Sequence, residues 1–195
     1  GHSGTTLMEN RKDALVVASK LIIFINKLAK EISQKDNRHF VATVGKIEVS
    51  PNYVTIIPSD VEFIIDLRVV NKTSRDFFFN QLNKEIIKLK KLGNLKINFQ
   101  DLMNSPYIEM NKTLNESLKK SVNDLNFTFM RMDSGAGHDT AHLAKVSKAS
   151  IIFIPCQNGL SHCPEEFTES INIKKGSEVI LKSILDLKDN HNEII

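Results

Sequence analysis

Apolar residues at Leu15, Ala18, Leu21, Ile22, Ile25, Leu28, Ala29 and Ile32 recur three and four positions apart, and this spacing predicts an amphipathic helix from Arg11 to about Ile32. The period then changes. Residues 41–49 (VATVGKIEV) are rich in β-branched side chains and partly alternate; Ser50-Pro51-Asn52 breaks the run, and residues 61–70 (VEFIIDLRVV) resume it after Pro58-Ser59-Asp60. A hairpin-like pair of strands is expected. Thr73 and Ser74 offer an N-cap to a second helix whose apolar face is Phe77, Phe78, Leu82, Ile86 and Leu89 and which Gly93 ends. Leu95, Ile97 and Phe99 alternate with Lys96 and Asn98 as a further strand.

The order helix, strand, strand, helix, strand becomes a β-α-β-β-α-β unit if one strand is added before His2. Such a unit is a ferredoxin-like α+β arrangement with both helices on one face of an antiparallel sheet. Ser105-Pro106 and polar neighbours interrupt the pattern between 104 and 112, so a boundary is expected there, dividing residues 1–110 from 111–195. Beyond it the pattern predicts a helix over 114–125, a short strand over 127–130, a helix over 141–146, a buried strand over 151–155 (IIFIP) and a last helix from about 177 to 187. This second half alternates as α/β, and the final DNHNEII is expected to fray.

Composition narrows the picture. With 41% hydrophobic residues the chain can build a real core, and a formal net charge of +3, its lysines spread over helical faces, does not suit a nucleic-acid partner. A sheet of this kind would also need a stacking aromatic signature to bind RNA, which the strands lack. Cys156 and Cys163 make no disulfide framework and have no base beside them in the pattern, so both are expected to be unreactive. No apolar run is long enough to span a bilayer and no signal peptide is evident, which predicts a cytoplasmic protein without a membrane partner. The chain opens at Gly1-His2-Ser3-Gly4 without an initiator Met and already inside a motif, so it is expected to be an N-terminally truncated fragment.

The chemistry concentrates in residues 134–166. Ser134-Gly135-Ala136-Gly137-His138-Asp139 and Gly159-Leu160-Ser161-His162-Cys163-Pro164-Glu165-Glu166 flank the IIFIP run, so two histidines could reach one cleft from the ends of a strand. Taken by themselves, the glycines can equally be turn residues before a capped helix, and His162 a loop residue.

These two segments (SGAGHD and GLSHCPEE) resemble the C-terminal signatures of the M20 metallopeptidase superfamily. The resemblance is strongest to its hydantoinase/carbamoylase branch: N-carbamoyl-L-amino acid hydrolases, allantoate amidohydrolases and beta-ureidopropionases. Three earlier stretches extend it. His2 to Met8 (HSGTTLM) with Arg11-Lys12-Asp13-Ala14 resembles the family's HAGTTPM and RxDA, residues 41–45 match its VATVG, and Ile57-Pro58 with Asp66-Leu67-Arg68 resembles its NVIPG and DLR. Departures include Leu7, Thr55 and Ser59, where the family has Pro, Asn and Gly.

The resemblance implies a ferredoxin-like lid, which is also a homodimerisation domain, inserted into an α/β catalytic domain with two divalent ions, zinc or manganese, cobalt or nickel. Residues 1–110 would be the lid without its first strand, and 111–195 the end of the catalytic domain. It implies one metal ligand here, His162, supported by Glu166 from outside the coordination sphere, with the other ligands and the general base outside this chain. It implies two catalytic histidines: His2, the lid histidine that completes the site of the partner subunit and stabilises the developing oxyanion, and His138, which faces the carbamoyl group or that oxyanion. Arg68 would pair with the substrate carboxylate, helped by Thr55, with Gly137 and Gly159 lining the substrate site. His142 lies four residues after His138, a spacing that can bind metal, but is expected to be a helix residue only. The implied substrate is an N-carbamoyl amino acid or ureido compound, and the fragment by itself is expected to be inactive. An aminoacylase or peptidase of the same superfamily, and a non-catalytic dimerisation module, are the rival readings.

Overall fold

The computed structural model describes residues 1–93 and 95–189. The described residues divide into two compact units, Gly1–Tyr107 with Asp133–Gly135, and Ile108–Met132 with the residues from Ala136 onward; the fraying expected of the last residues lies outside the described ones. No helix among the described residues is long and apolar enough to cross a membrane.

The first unit is built on a hairpin between β1 (Phe40–Ser50) and β2 (Asp60–Val69), flanked by α1 (Ala14–Lys35) and α2 (Lys72–Gly93). The strands are antiparallel, with Phe40 opposite Val69 and Ser50 opposite Asp60. A bulge at Gly45 shifts the register, so that Val44 faces Ile65 and Lys46 faces Ile64. One face of the hairpin, including Phe40, Ala42, Val44, Phe63, Ile65 and Leu67, joins Leu21, Ile25, Leu28 and Ile32 of α1 and Phe78, Leu82, Ile86 and Leu89 of α2 in a single core. The apolar periods of the sequence become that core. Phe78 is fully buried, which stabilises the unit by about 1.5–3 kcal/mol relative to an exposed ring.

The helix ends explain their own positions. Asp13 caps α1 by accepting the Val16 N–H at 3.1 Å. The cap expected from Thr73 and Ser74 comes instead from Asn71, whose Oδ1 accepts the Thr73 N–H at 2.9 Å. Ser74 Oγ is drawn away because it donates to the carboxylate of Asp36, the residue that closes α1. The strand expected at 95–99 forms no ladder. Leu95 and Ile97 are half-buried while Lys96 and Asn98 are exposed, so the alternation survives as packing, with Phe79 and Phe99 meeting at 5.9 Å. Burial pattern alone does not make a strand, because a strand also needs a hydrogen-bonding neighbour. The sheet of the described residues has two strands.

The second unit holds α3 (Lys112–Asp124), a short α4 (Asp139–Leu143) and α5 (Ser170–Asp189). Small residues let α3 and α5 approach: Ser117 and Ser183 share a hydrogen bond of 2.8 Å, and Ser121, wholly buried, donates to Ser117 O at 3.0 Å. Asn111 caps α3 through its bond from the Leu114 N–H, and its own N–H donates to Ala149 O. Two expected strands, 127–130 and 151–155, carry no ladder here. The IIFIP run is not buried as expected either, for Phe153 and Ile154 are 44% and 37% exposed. An extended run without a paired neighbour buries only the side that touches something. That side meets α5 at Gly176, where an added Cβ would come within 2.6 Å of Ile154 Cγ2. The same glycine explains why the sequence suggests a start at Ser177: α5 runs from Ser170 straight through Gly176, and packing outweighs the roughly 1 kcal/mol that glycine costs a helix.

Candidate functional site

The expected site residues fall in both units. In the first unit, residues 1–7 form a loop laid along Thr55–Ile57. His2 makes an isolated antiparallel bridge with Ile56, Ser3 N–H donates to Thr55 O at 2.8 Å, and Ile57 N–H donates to Gly1 O at 2.9 Å. His2 and Thr55 are thus brought together, though through the threonine's backbone carbonyl. The Gly4 N–H donates to His2 Nδ1 at 3.0 Å. Arg11, a residue of the early motif to which the sequence attached no role, donates through Nε to Thr6 O at 3.0 Å and through Nη2 to Ser3 O.

Arg68 lies near the end of β2, beside Asp66, two positions earlier on the same strand face. The Asp66 carboxylate takes the Nε edge at 3.1 Å and Nη2 at 2.8 Å, and Gly135 O accepts from Nη1 at 2.6 Å. The Arg68 hydrogen bond and charge hold the Asp66 carboxyl below its ordinary range, and the hydrogen bond to the Asp66 carboxylate pushes the guanidinium up. A guanidinium has five N–H groups, so one on each terminal nitrogen stays available to an acceptor, and the side chain is 48% exposed. Asp66 was legible as a charge two positions from an arginine, but its role as the anchor was not.

Gly135 reaches this unit for a steric reason. His39 packs over it so closely that a Cβ at 135 would lie 2.2 Å from His39 Nε2, a buried nitrogen with no hydrogen-bond partner. Asp133 is held just before it by Arg38, by the His39 N–H at 3.4 Å and by the Tyr107 hydroxyl at 3.4 Å. The hydrogen bond from Arg38 is the main cause that lowers the Asp133 carboxyl below its usual range.

In the second unit, Gly137 is exposed with open space around it, and His138 occupies the position before α4, its ring 5.3 Å from Phe153. His142 sits within α4. The 159–166 loop is sharply turned: Asn158, Gly159 and His162 all have positive φ, at 54°, 66° and 59°. For His162 this left-handed conformation costs about 1–2 kcal/mol, and such conformations persist where surrounding structure enforces them, often at functional sites. Here Glu166 is part of the enforcement. Its Oε2 accepts the His162 backbone N–H at 3.1 Å, so the carboxylate acts on the loop and not on the imidazole. Cys156 Sγ donates to Leu160 O at 2.9 Å on the same loop.

Among the described residues no group of three or more His, Cys, Asp or Glu side chains gathers as a metal centre would require. His162, an exposed imidazole on a braced loop, fits one position in a coordination sphere, but these residues do not make a centre by themselves.

Comparison with known proteins follows the same residues. The profile of peptidase family M20/M25/M40 matches residues 3–186. Over 181 residues the chain is 30% identical to an N-carbamoyl-L-amino-acid amidohydrolase of Paenarthrobacter aurescens, covering 93% of this chain and 43% of that protein. It is 29% identical to the allantoate amidohydrolase of Escherichia coli, with 95% and 44% covered. A crystal structure of an amidase of the hydantoinase/carbamoylase family from Burkholderia multivorans superposes with a TM-score of 0.84 at 26% identity, over 95% of this chain and 44% of that one. The chain therefore spans less than half the length of these relatives.

Proposed function

The chain belongs to peptidase family M20/M25/M40, and we propose that it is the lid and the final catalytic segment of a metal-dependent amidohydrolase that cleaves a C–N bond of an N-carbamoyl amino acid or a ureido acid. The boundary near 104–112 would separate a ferredoxin-like lid, through which the enzyme forms a homodimer, from the end of its α/β catalytic domain. The relatives named above act, by their names, on N-carbamoyl-L-amino acids and on allantoate, which share a carbamoyl nitrogen and a carboxylate.

The observation that carries this reading is Arg68. An anchored, half-exposed guanidinium with N–H groups left over is suited to a substrate carboxylate, and its rigid placement reduces the ordering cost of binding. Thr55 would help Arg68 hold that carboxylate, and Gly137 and Gly159 would be substrate-lining residues of the second unit. As the carbonyl carbon becomes tetrahedral its oxygen gains negative charge, and His138 would donate to it, as would His2 in the site that this lid completes on the partner subunit.

M20 enzymes are generally dinuclear metal hydrolases, and when bound the ions would supply an activated water to the carbonyl. His162 is the residue of this chain that would hold one of them, with Glu166 bracing its loop. The remaining ligands would lie outside the 195 residues, so the chain alone would be inactive.

The test is ammonia release by the complete gene product, supplied with zinc or manganese, from N-carbamoyl amino acids, allantoate and 3-ureidopropionate. Release that collapses on His162→Ala, His2→Ala and Arg68→Ala is expected. No release from any of the three, with metal bound, would reject this substrate class.

A further inference from the structure

The loop that carries His2 is more heavily fastened than an exposed chain segment needs to be. Six hydrogen bonds involve residues 1–6: Ser3 N–H to Thr55 O, Ile57 N–H to Gly1 O, Thr6 N–H to His2 O at 3.1 Å, Gly4 N–H to His2 Nδ1, and the two from Arg11. The two arginine bonds run to carbonyls on either side of Gly4, so the guanidinium fixes the turn from which the Gly4 N–H projects. A lysine could not do this, because its ammonium lacks the fork that spans two fixed acceptors.

We propose that Gly4 and Arg11 are positioning residues that preset the His2 imidazole as an Nε2–H donor. A backbone N–H can only donate, so the nitrogen it meets must be the acceptor of the neutral ring, and the proton is left on the other nitrogen. The outward edge of His2 can then donate to an oxygen but cannot accept a proton, which suits stabilisation of an oxyanion and excludes service as a base in that ring state. Gly4 is the residue the contact tolerates. A Cβ there would stand 3.3 Å from Cε1 and 3.4 Å from Nδ1 of the ring, tighter than side chains ordinarily pack, so alanine would push the imidazole away from the N–H. The inference deepens the role given to His2 above and rests on it for its catalytic meaning, but the tautomer and the clamp can be read in this chain by themselves.

The experiment is nitrogen NMR of the ¹⁵N-labelled 195-residue chain, at alkaline pH, with His2 assigned through His2→Gln. A proton on Nε2 and a scalar coupling between the Gly4 amide and His2 Nδ1 are expected, with the coupling lost in Arg11→Gln while amide shifts around Phe78 stay in place. A proton found on Nδ1, or a coupling undiminished in Arg11→Gln, overturns the proposal. Should Arg11→Gln unfold, Gly4→Pro deletes the donor and keeps the guanidinium; an unchanged His2 Nδ1 resonance in that variant overturns it equally. In the complete gene product Arg11→Gln is expected to lower kcat roughly tenfold to a hundredfold with little change in KM, since misplacing a donor costs the transition state and not the bound substrate. Turnover that survives His2→Ala would reject the proposed function of His2, and the NMR result would stand apart from it.

Discussion

Arg38 and Asp133 lie 95 positions apart and close on each other as a two-bond pair, Nε to Oδ2 at 2.7 Å and Nη2 to Oδ1 at 2.8 Å. The Asp133 side chain is largely buried in that contact and also accepts from His39 N–H and Tyr107. With Arg68 bonding Gly135 O, the pair holds Asp133 and the first two residues of the SGAGHD motif, Ser134 and Gly135, on the first unit.

The pair predicts an acid sensitivity. A carboxyl held below its ordinary value of 3.8 in the fold contributes stability that is fully present above that value and is lost as pH falls through the lowered one. Acid unfolding followed by circular dichroism should therefore show a loss below about pH 4 that Asp133→Asn reduces, while Asp66, lowered in the same way, keeps its own share. A profile identical in the variant would mean that Asp133 does not supply it.

Gly135→Ala is expected to destabilise the first unit by about 1–3 kcal/mol, the cost of overpacking a closed site. The obstruction is the His39 ring, so adding His39→Ala should recover much of the loss. Urea unfolding of the two single variants and the double variant measures the coupling; strictly additive losses would place the strain elsewhere.

Arg68→Ala in the complete gene product is expected to raise KM for a ureido acid by about ten- to hundredfold, the worth of a hydrogen-bonded charge. Arg68→Lys should recover little, because a compact ammonium lacks the planar fork that meets Asp66 and Gly135 O on separate nitrogens and still presents N–H groups to a substrate carboxylate. A KM unchanged in both variants would remove the carboxylate role.

His162→Gly separates conformation from chemistry. Glycine relieves the positive φ, so the chain should be unchanged or stabilised by up to about 1 kcal/mol, while metal content of the complete gene product should fall. Thermal unfolding and elemental analysis give the two readings. Full metal content in the variant would show that the imidazole is no ligand.

Much of the first unit was legible because its signals are local. The three-and-four spacing of Leu21, Ile25, Leu28 and Ile32, and the β-branched runs around Ser50-Pro51-Asn52, specify helices and a hairpin whatever surrounds them, and these side chains form the observed core. The site was legible as residues in order, through motifs that sit on turns. Its contacts were not, because Arg38, Arg11 and His39 act on partners that periodicity does not point to. IIFIP reads as a buried strand by composition, yet a run cannot state which backbone will pair with it.

The sequence by itself determined the helices, the hairpin, the core that joins them and the identity of the family, since each depends on residue type at fixed short spacing. Tertiary structure alone decided that Asp133 meets Arg38, that only glycine fits beneath His39, and that Arg68 reaches Gly135 O. Those relationships depend on where the chain returns after tens of residues, and sterics and charge act only between atoms the fold has already brought within a few ångströms.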